Sequence, residues 1–178
     1  MFEKKTYIYS ENMGVCYIED VTKLITARKT EVMYYVLRPV FRKEKTAYIP
    51  VENHSVELRE LMQASEAKEE ALEDPAFHPL MRELGFMESS EEETTDDEKD
   101  AGEEKVISAA ESLRLEKQEE EERLAIQYKM ADTLPIEQRS ILYHRGEVEF
   151  VLRQYKREQI EEMHKAEKKG KKINRGEK

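Results

Sequence analysis

The chain of 178 residues has a single cysteine, Cys16, so no intrachain disulfide can form and no cysteine pair offers a metal-ligand spacing. Set between Val15 and Tyr17, it is expected to be a small core or strand residue. No apolar run is long enough to cross a bilayer, and the opening Met-Phe-Glu-Lys-Lys-Thr has no apolar stretch of signal-peptide length. From these absences a cytoplasmic chain, away from membranes, is expected. A glycine-rich phosphate loop, a Ser/His/Asp order and a zinc signature are also missing. The four histidines, His54, His78, His144 and His164, include no pair at i,i+4 spacing. Glu161-Glu-Met-His164 has the Glu-x-x-His spacing of di-iron bundles, but those need two such helices and further glutamates. Asn53-His-Ser55 matches a glycosylation sequon, which has no use in a cytoplasmic chain. The expectation is a protein that is not an enzyme and uses no metal, cofactor or small-molecule substrate.

Charge is abundant and unevenly placed. The net charge is −10, with 30 Lys/Arg against 40 Asp/Glu. Residues 1–62 carry ten basic and nine acidic side chains, residues 63–105 four and sixteen, and residues 106–178 sixteen and fifteen. The acidity therefore belongs to the middle. The segment 88–104 has no large apolar residue, so nothing there offsets the entropy of ordering. It is expected to be a disordered spacer, with Ser89, Ser90, Thr94 and Thr95 upstream of acids as candidate phosphorylation sites.

Strand character is confined to the first third. Tyr7 to Val21, Val32 to Arg38 and Thr46 to Asn53 are rich in Val, Ile and Tyr, which suit a pleated, half-buried surface. Lys23 to Thr30 and Arg42 to Lys45 fit the loops between antiparallel strands. Pro50 cannot donate a ladder hydrogen bond, so the third run is expected to lie at an edge or to be bulged there. So short a block suits a small barrel. Helical pattern begins near Val56. One helix is expected after Ser65 as N-cap, ending at Asp74-Pro75, and another around Pro79 to Leu84 with Gly85 as terminator. A third is expected from about Lys105 to Met130. The last runs from about Pro135 to Lys169 and buries Ile141, Val148, Leu152 and Tyr155, before a basic tail at 171–178. The expected class is α+β, an N-terminal Tudor- or SH3-like β-barrel over 1–62 followed by a helical domain over 64–170.

Arg139, Arg145, Arg153, Lys156 and Arg157 recur along the last helix. Arg145, Arg153 and Lys156 are candidates for one basic stripe facing phosphates. Glu149 lies four residues from both Arg145 and Arg153, so ion pairing within the helix is the competing reading.

The order and spacing of three motifs resemble the CarD/CdnL family of bacterial transcription regulators. They are Tyr9 with Gly14-Val15, Ile18, Glu19 and Asp20; then Tyr34 to Arg38; then Ile49 to Asn53 with Leu58-Arg59. Thr133 to Leu142, Glu149 to Leu152 and Val106 to Leu113 are similar to the family's C-terminal helices. The resemblance implies a Tudor-like module that docks on the RNA polymerase β subunit and a helical domain near upstream promoter DNA, which shifts the open-complex equilibrium. It implies association with the nucleoid through the polymerase. The candidate polymerase contacts are Lys23, Arg28, Lys29, Tyr48 and Ile49; the candidate DNA contacts are Arg139, Arg145, Arg153 and Lys156. Where the family presents basic residues to the polymerase, this chain has Leu24 and Tyr48, with Lys23, Arg28 and Lys29 alongside. The family's wedge into the promoter is a tryptophan, and this chain has none. A protein-binding adaptor without DNA contact is the alternative.

Overall fold

The computed structural model describes residues 1–42, 45–88, 114–115, 118–119, 122–123, 126 and 128–173, with side chains as far as 169. The expectations for the acidic spacer beyond Glu88, its candidate phosphorylation sites and the last five residues of the tail lie outside these. So does most of the third helix, although its described positions are helical and end at Ala131.

Five antiparallel strands form one sheet: β1 (Tyr7–Ser10), β2 (Gly14–Ile25), β3 (Glu31–Pro39), β4 (Ala47–Pro50) and β5 (Leu58–Glu60). Their order is β4-β3-β2-β1-β5. No ladder joins β4 to β5 among the described residues, so the sheet is open. Pro50 ends β4, and β4 is an edge, as a residue without an N–H donor requires. The β2–β3 hairpin is longer than its polar sequence indicates: strand pairing continues through Lys23 and Leu24, and only Thr26 to Thr30 turn. Lys29 there has φ of 57°.

A β-bulge at Glu19 sets the faces of this hairpin. Ile18 pairs with Leu37 and Asp20 with Val36, leaving Glu19 unpaired between them. Ile18 and Val21 thus both face the sheet's own core, although they are three residues apart. That core holds Ile8, Cys16, Ile18, Tyr35, Leu37 and Ile49. Cys16 is fully enclosed, and burial pushes its thiol up to about 12.

Helix α1 (Ala64–Glu73) starts one residue before the expected cap. Gln63 occupies the cap position, where its N–H donates to the Glu66 carboxylate at 2.9 Å. Pro75–Phe77 form a 3-10 turn, introduced by the Asp74 carboxylate, which accepts from the Ala76 N–H at 2.9 Å. Helix α2 (His78–Glu83) follows and stops at Gly85, whose φ of 73° favours glycine. Helix α3 (Ile136–Ile173) extends four residues beyond its expected end. Ala67, Ala71, Phe77, Met81 and Leu84 pack on Val148, Val151 and Leu152 of α3. Ile141 is not buried. It is 59% exposed, and the inward face instead carries Tyr143, Glu147, Val148 and Val151. From Glu161 to Lys169 every side chain of α3 is exposed.

Sheet and helices share a third core. Tyr9, Phe41, Tyr128, Ala131 and Tyr143 pack together, with Tyr128 and Tyr143 stacked at 5.3 Å between centroids. Gly14 lies at this contact: a Cβ there would stand 3.2 Å from both tyrosine rings.

Candidate functional site

Two polar junctions hold the sheet against the helices. The first joins β5 to α3. Arg59 donates to both oxygens of Glu147, at 2.7 and 2.6 Å, in the forked geometry that guanidinium and carboxylate share. Glu147 is 0% exposed, and its Oε1 also accepts from the Met62 N–H at 2.9 Å. The Arg59 guanidinium lies 4.1 Å from the centroid of the Tyr9 ring. Its hydrogen bond to Glu147 holds it still more firmly protonated, while burial pushes the Tyr9 hydroxyl up to about 12.

The second junction joins the exit of β3 to the turn before α3. Arg42, buried, donates to both oxygens of Asp132 at 2.9 and 2.8 Å and also to the Tyr128 carbonyl. Lys45 reaches the same carboxylate at 3.1 Å. Hydrogen bonds from Arg42 and then Lys45 hold the Asp132 carboxyl below its usual range. Charged residues on a short strand or within a helix carry no hydrophobic pattern, so periodicity finds neither junction. Arg59 entered only through the motif resemblance, and Glu147 had no signal at all.

The residues expected to contact a polymerase do not form one patch. Lys23, Arg28 and Lys29 sit at the far end of the β2–β3 hairpin, all exposed, with Lys23 3.5 Å from Glu31. Tyr48 lies on edge strand β4, opposite Val36, and is 55% exposed. Ile49 faces the other way and is 7% exposed inside the sheet core, so its side chain is structural. Around Tyr48 the outward face of the hairpin continues through Tyr34, Thr22, Val32 and Leu24, which register pairs across β2 and β3. None of these is fully buried.

The arginines expected to contact DNA are engaged elsewhere. Arg139 donates to the Leu134 carbonyl at 3.2 and 3.1 Å, closing the turn before α3. Arg145 lies 3.4 Å from Asp74. Arg153 bridges Glu83 at 2.9 Å and Glu149 at 3.2 Å. Lys156 sits over the Phe86 ring, 5.5 Å from its centroid. The intrahelical pairing is therefore present for Arg153, while Arg145 turns to Asp74 and not to Glu149.

A cavity of about 320 Å³ opens between the 75–83 segment and α3, with Arg123 and Tyr128 on its far side. Among the described residues no group of three His, Cys, Asp or Glu is placed to hold a metal ion. Among them also, no helix is long and apolar enough to cross a membrane. Comparison with protein-family models, with curated proteins and with solved structures finds no match for this chain.

Proposed function

We propose that this chain is a CarD-like regulator of transcription whose sheet is a Tudor-like module docking on the RNA polymerase β subunit. The observation that carries the reading is the open edge at β4. It offers unpaired backbone groups beside an exposed Tyr48, which is how one sheet recruits a strand from another chain. The strand order, with β5 paired to β1 and a long bulged β2–β3 hairpin, is the order of small SH3-like barrels and supports the comparison. Lys23, Arg28 and Lys29 at the hairpin end supply charge for steering. The chain acts by binding, without catalysis or cofactor, in the cytoplasm where the polymerase works. In the fuller form of this reading the helical part lies near upstream promoter DNA. A contact made only in the open complex shifts that equilibrium about tenfold for each 1.4 kcal/mol.

A second reading, a polymerase-binding adaptor without DNA contact, is favoured by one observation: Arg145 and Arg153 already face carboxylates. Binding of the full chain to the isolated β subunit tests the shared premise. Tyr48→Asp should weaken it at least tenfold while the fold is unchanged, and unaltered affinity removes β4 as the interface. Mobility of a forked promoter fragment, with polymerase and with Arg145→Gln/Arg153→Gln in the chain, separates the two readings. Loss of open-complex stability in the double variant favours DNA contact; an unchanged complex favours the adaptor.

A further inference from the structure

The backbone of β4 alternates between bonding to β3 and facing outward, and two hydrogen bonds fix the phase. At the hairpin turn the Thr26 N–H donates to the Thr30 carbonyl at 2.9 Å. In step with it, Thr22 and Asp20 exchange bonds with Tyr34 and Val36, which turns the odd residues of β3 toward β4. The Val51 N–H accordingly donates to the Met33 carbonyl at 2.9 Å. Counting back from Val51, Ile49 and Ala47 bond to Tyr35 and Leu37. Pro50 and Tyr48, opposite Tyr34 and Val36, hold their backbone groups to the open edge.

Pro50 has no N–H to give. Among the described residues of β4, the Tyr48 N–H is therefore the one donor on that edge, beside the Tyr48 and Pro50 carbonyls. Thr46, exposed just before the strand, is the next residue of the same parity. An added strand can exchange a complete pair of hydrogen bonds with Tyr48. Level with Pro50 its carbonyl would meet no donor, and a carbonyl left unpaired in a closed interface is costly. The same parity sets the Tyr48 ring, 55% exposed, on the outward face beside Val36. A residue directly opposite Tyr48 on an added strand projects to that side too.

We propose that the docking partner lays a short extended segment antiparallel to β4 in a single register, keyed to the Tyr48 N–H and carbonyl. The segment joins the edge level with Tyr48 and runs on past Thr46; it does not continue along Pro50. Its residue opposite Tyr48 is apolar and covers the exposed ring, a cross-strand pair of the kind that stabilises sheets. The antiparallel direction lets one partner residue use both outward groups of Tyr48, and it continues a sheet in which every pairing is antiparallel. This rests on the docking reading of β4 and adds to it the register, the direction and the partner side chain.

The test compares binding of the full chain to the isolated RNA polymerase β subunit in Tyr48→Phe, Tyr48→Ala and Tyr48→Pro, with hydrogen exchange at the Tyr48 and Ile49 amides. Tyr48→Phe should bind as the parent does. Tyr48→Ala, which keeps the N–H, should weaken binding up to about fivefold through loss of the ring contact. Tyr48→Pro should weaken it about tenfold further, because the donor is gone and the partner's carbonyl is stranded. The Tyr48 N–H takes no part in the β3 ladder, so slow exchange at Ile49 in Tyr48→Pro should show β4 still paired. In the parent the Tyr48 amide should exchange fast when free and slowly in the complex. Should Tyr48→Pro detach β4, that protection of the parent's amide decides alone. Equal affinity of Tyr48→Ala and Tyr48→Pro with β4 intact, or a Tyr48 amide as fast in the complex as free, overturns the register and leaves docking in place. Parent-like affinity in Tyr48→Ala overturns the apolar contact. A parent chain that does not bind the β subunit overturns the docking reading, and this inference with it.

Discussion

Arg59 and Glu147 meet in a forked ion pair, but the two ends sit in different surroundings. Glu147 is 0% exposed, whereas the Arg59 side chain is 41% exposed and can reach water if its partner is lost. Removing the arginine strands a buried carboxylate; removing the glutamate strands a cation that rehydrates. Arg59→Ala should therefore cost about 3–5 kcal/mol and Glu147→Ala distinctly less, measured by urea unfolding. Equal losses would mean that burial of Glu147 is not what sets the cost. Asp132 tests the second junction through pH. Its folded pKa is depressed, so its contribution is present above the unfolded value, near 3.9, and is lost as pH falls through the folded value. Half of its side chain is exposed, which keeps the effect below about 1 kcal/mol. Asp132→Asn should be less stable than the parent at pH 7, and the gap should begin to narrow below about pH 4 and vanish once the pH has passed the folded value. A gap that does not narrow at all as the pH falls below about 4 would place its origin in shape and not in charge.

Among the elements, the bulge at Glu19 makes a separable prediction. Deleting Glu19 leaves Ile18 opposite Leu37 and Asp20 opposite Val36, so every other face is kept. The loss is the 2.7 Å Arg38–Glu19 pair and some twist, less than about 2 kcal/mol. Deleting Val21 instead turns Thr22 into the core and Leu24 out of phase, and should cost more. Cross-strand amide contacts between β2 and β3 read both outcomes; a Glu19 deletion that loses them would show that the bulge is required for pairing. Strands β1 to β3 were legible because Val, Ile and Tyr alternate locally. Strand β5 was not: Leu58-Arg59-Glu60 has one apolar residue and falls where helical pattern was expected to start, and its pairing with β1 spans some fifty residues. Helix α3 was legible as a helix, but its inward face was misjudged at Ile141. A periodic apolar residue and a charged one, Glu147, exchange their usual places there because Arg59 is waiting on the sheet. The cavity had no signal in the chain, since it arises only where the 75–83 segment meets α3 in the folded protein. Tyr48 and the hairpin cations were found on the surface as expected; Ile49 was not, because adjacent strand residues face opposite sides.

For the molecule as a whole, the expected boundary between 62 and 64 falls on three residues between β5 and α1, with a packed core across it. Tyr9, Phe41, Tyr128 and Tyr143 each contribute about 1.5–3 kcal/mol on full burial. Together that is comparable to the net stability of a typical domain. Sheet and helices should therefore unfold as one unit. Hydrogen exchange of the Cys16 amide in β2 and the Leu152 amide in α3 should report the same opening free energy and the same urea dependence. A lower value at Leu152 would mean that α3 opens while the sheet remains. Helix α3 continues well past its last packed turn, and residues 161–173 carry it about 20 Å further at 1.5 Å per residue. That length is a lever. A partner gripping its tip exerts torque on Val148 and Leu152 at the fulcrum, where a limp tail of the same thirteen residues would merely be towed.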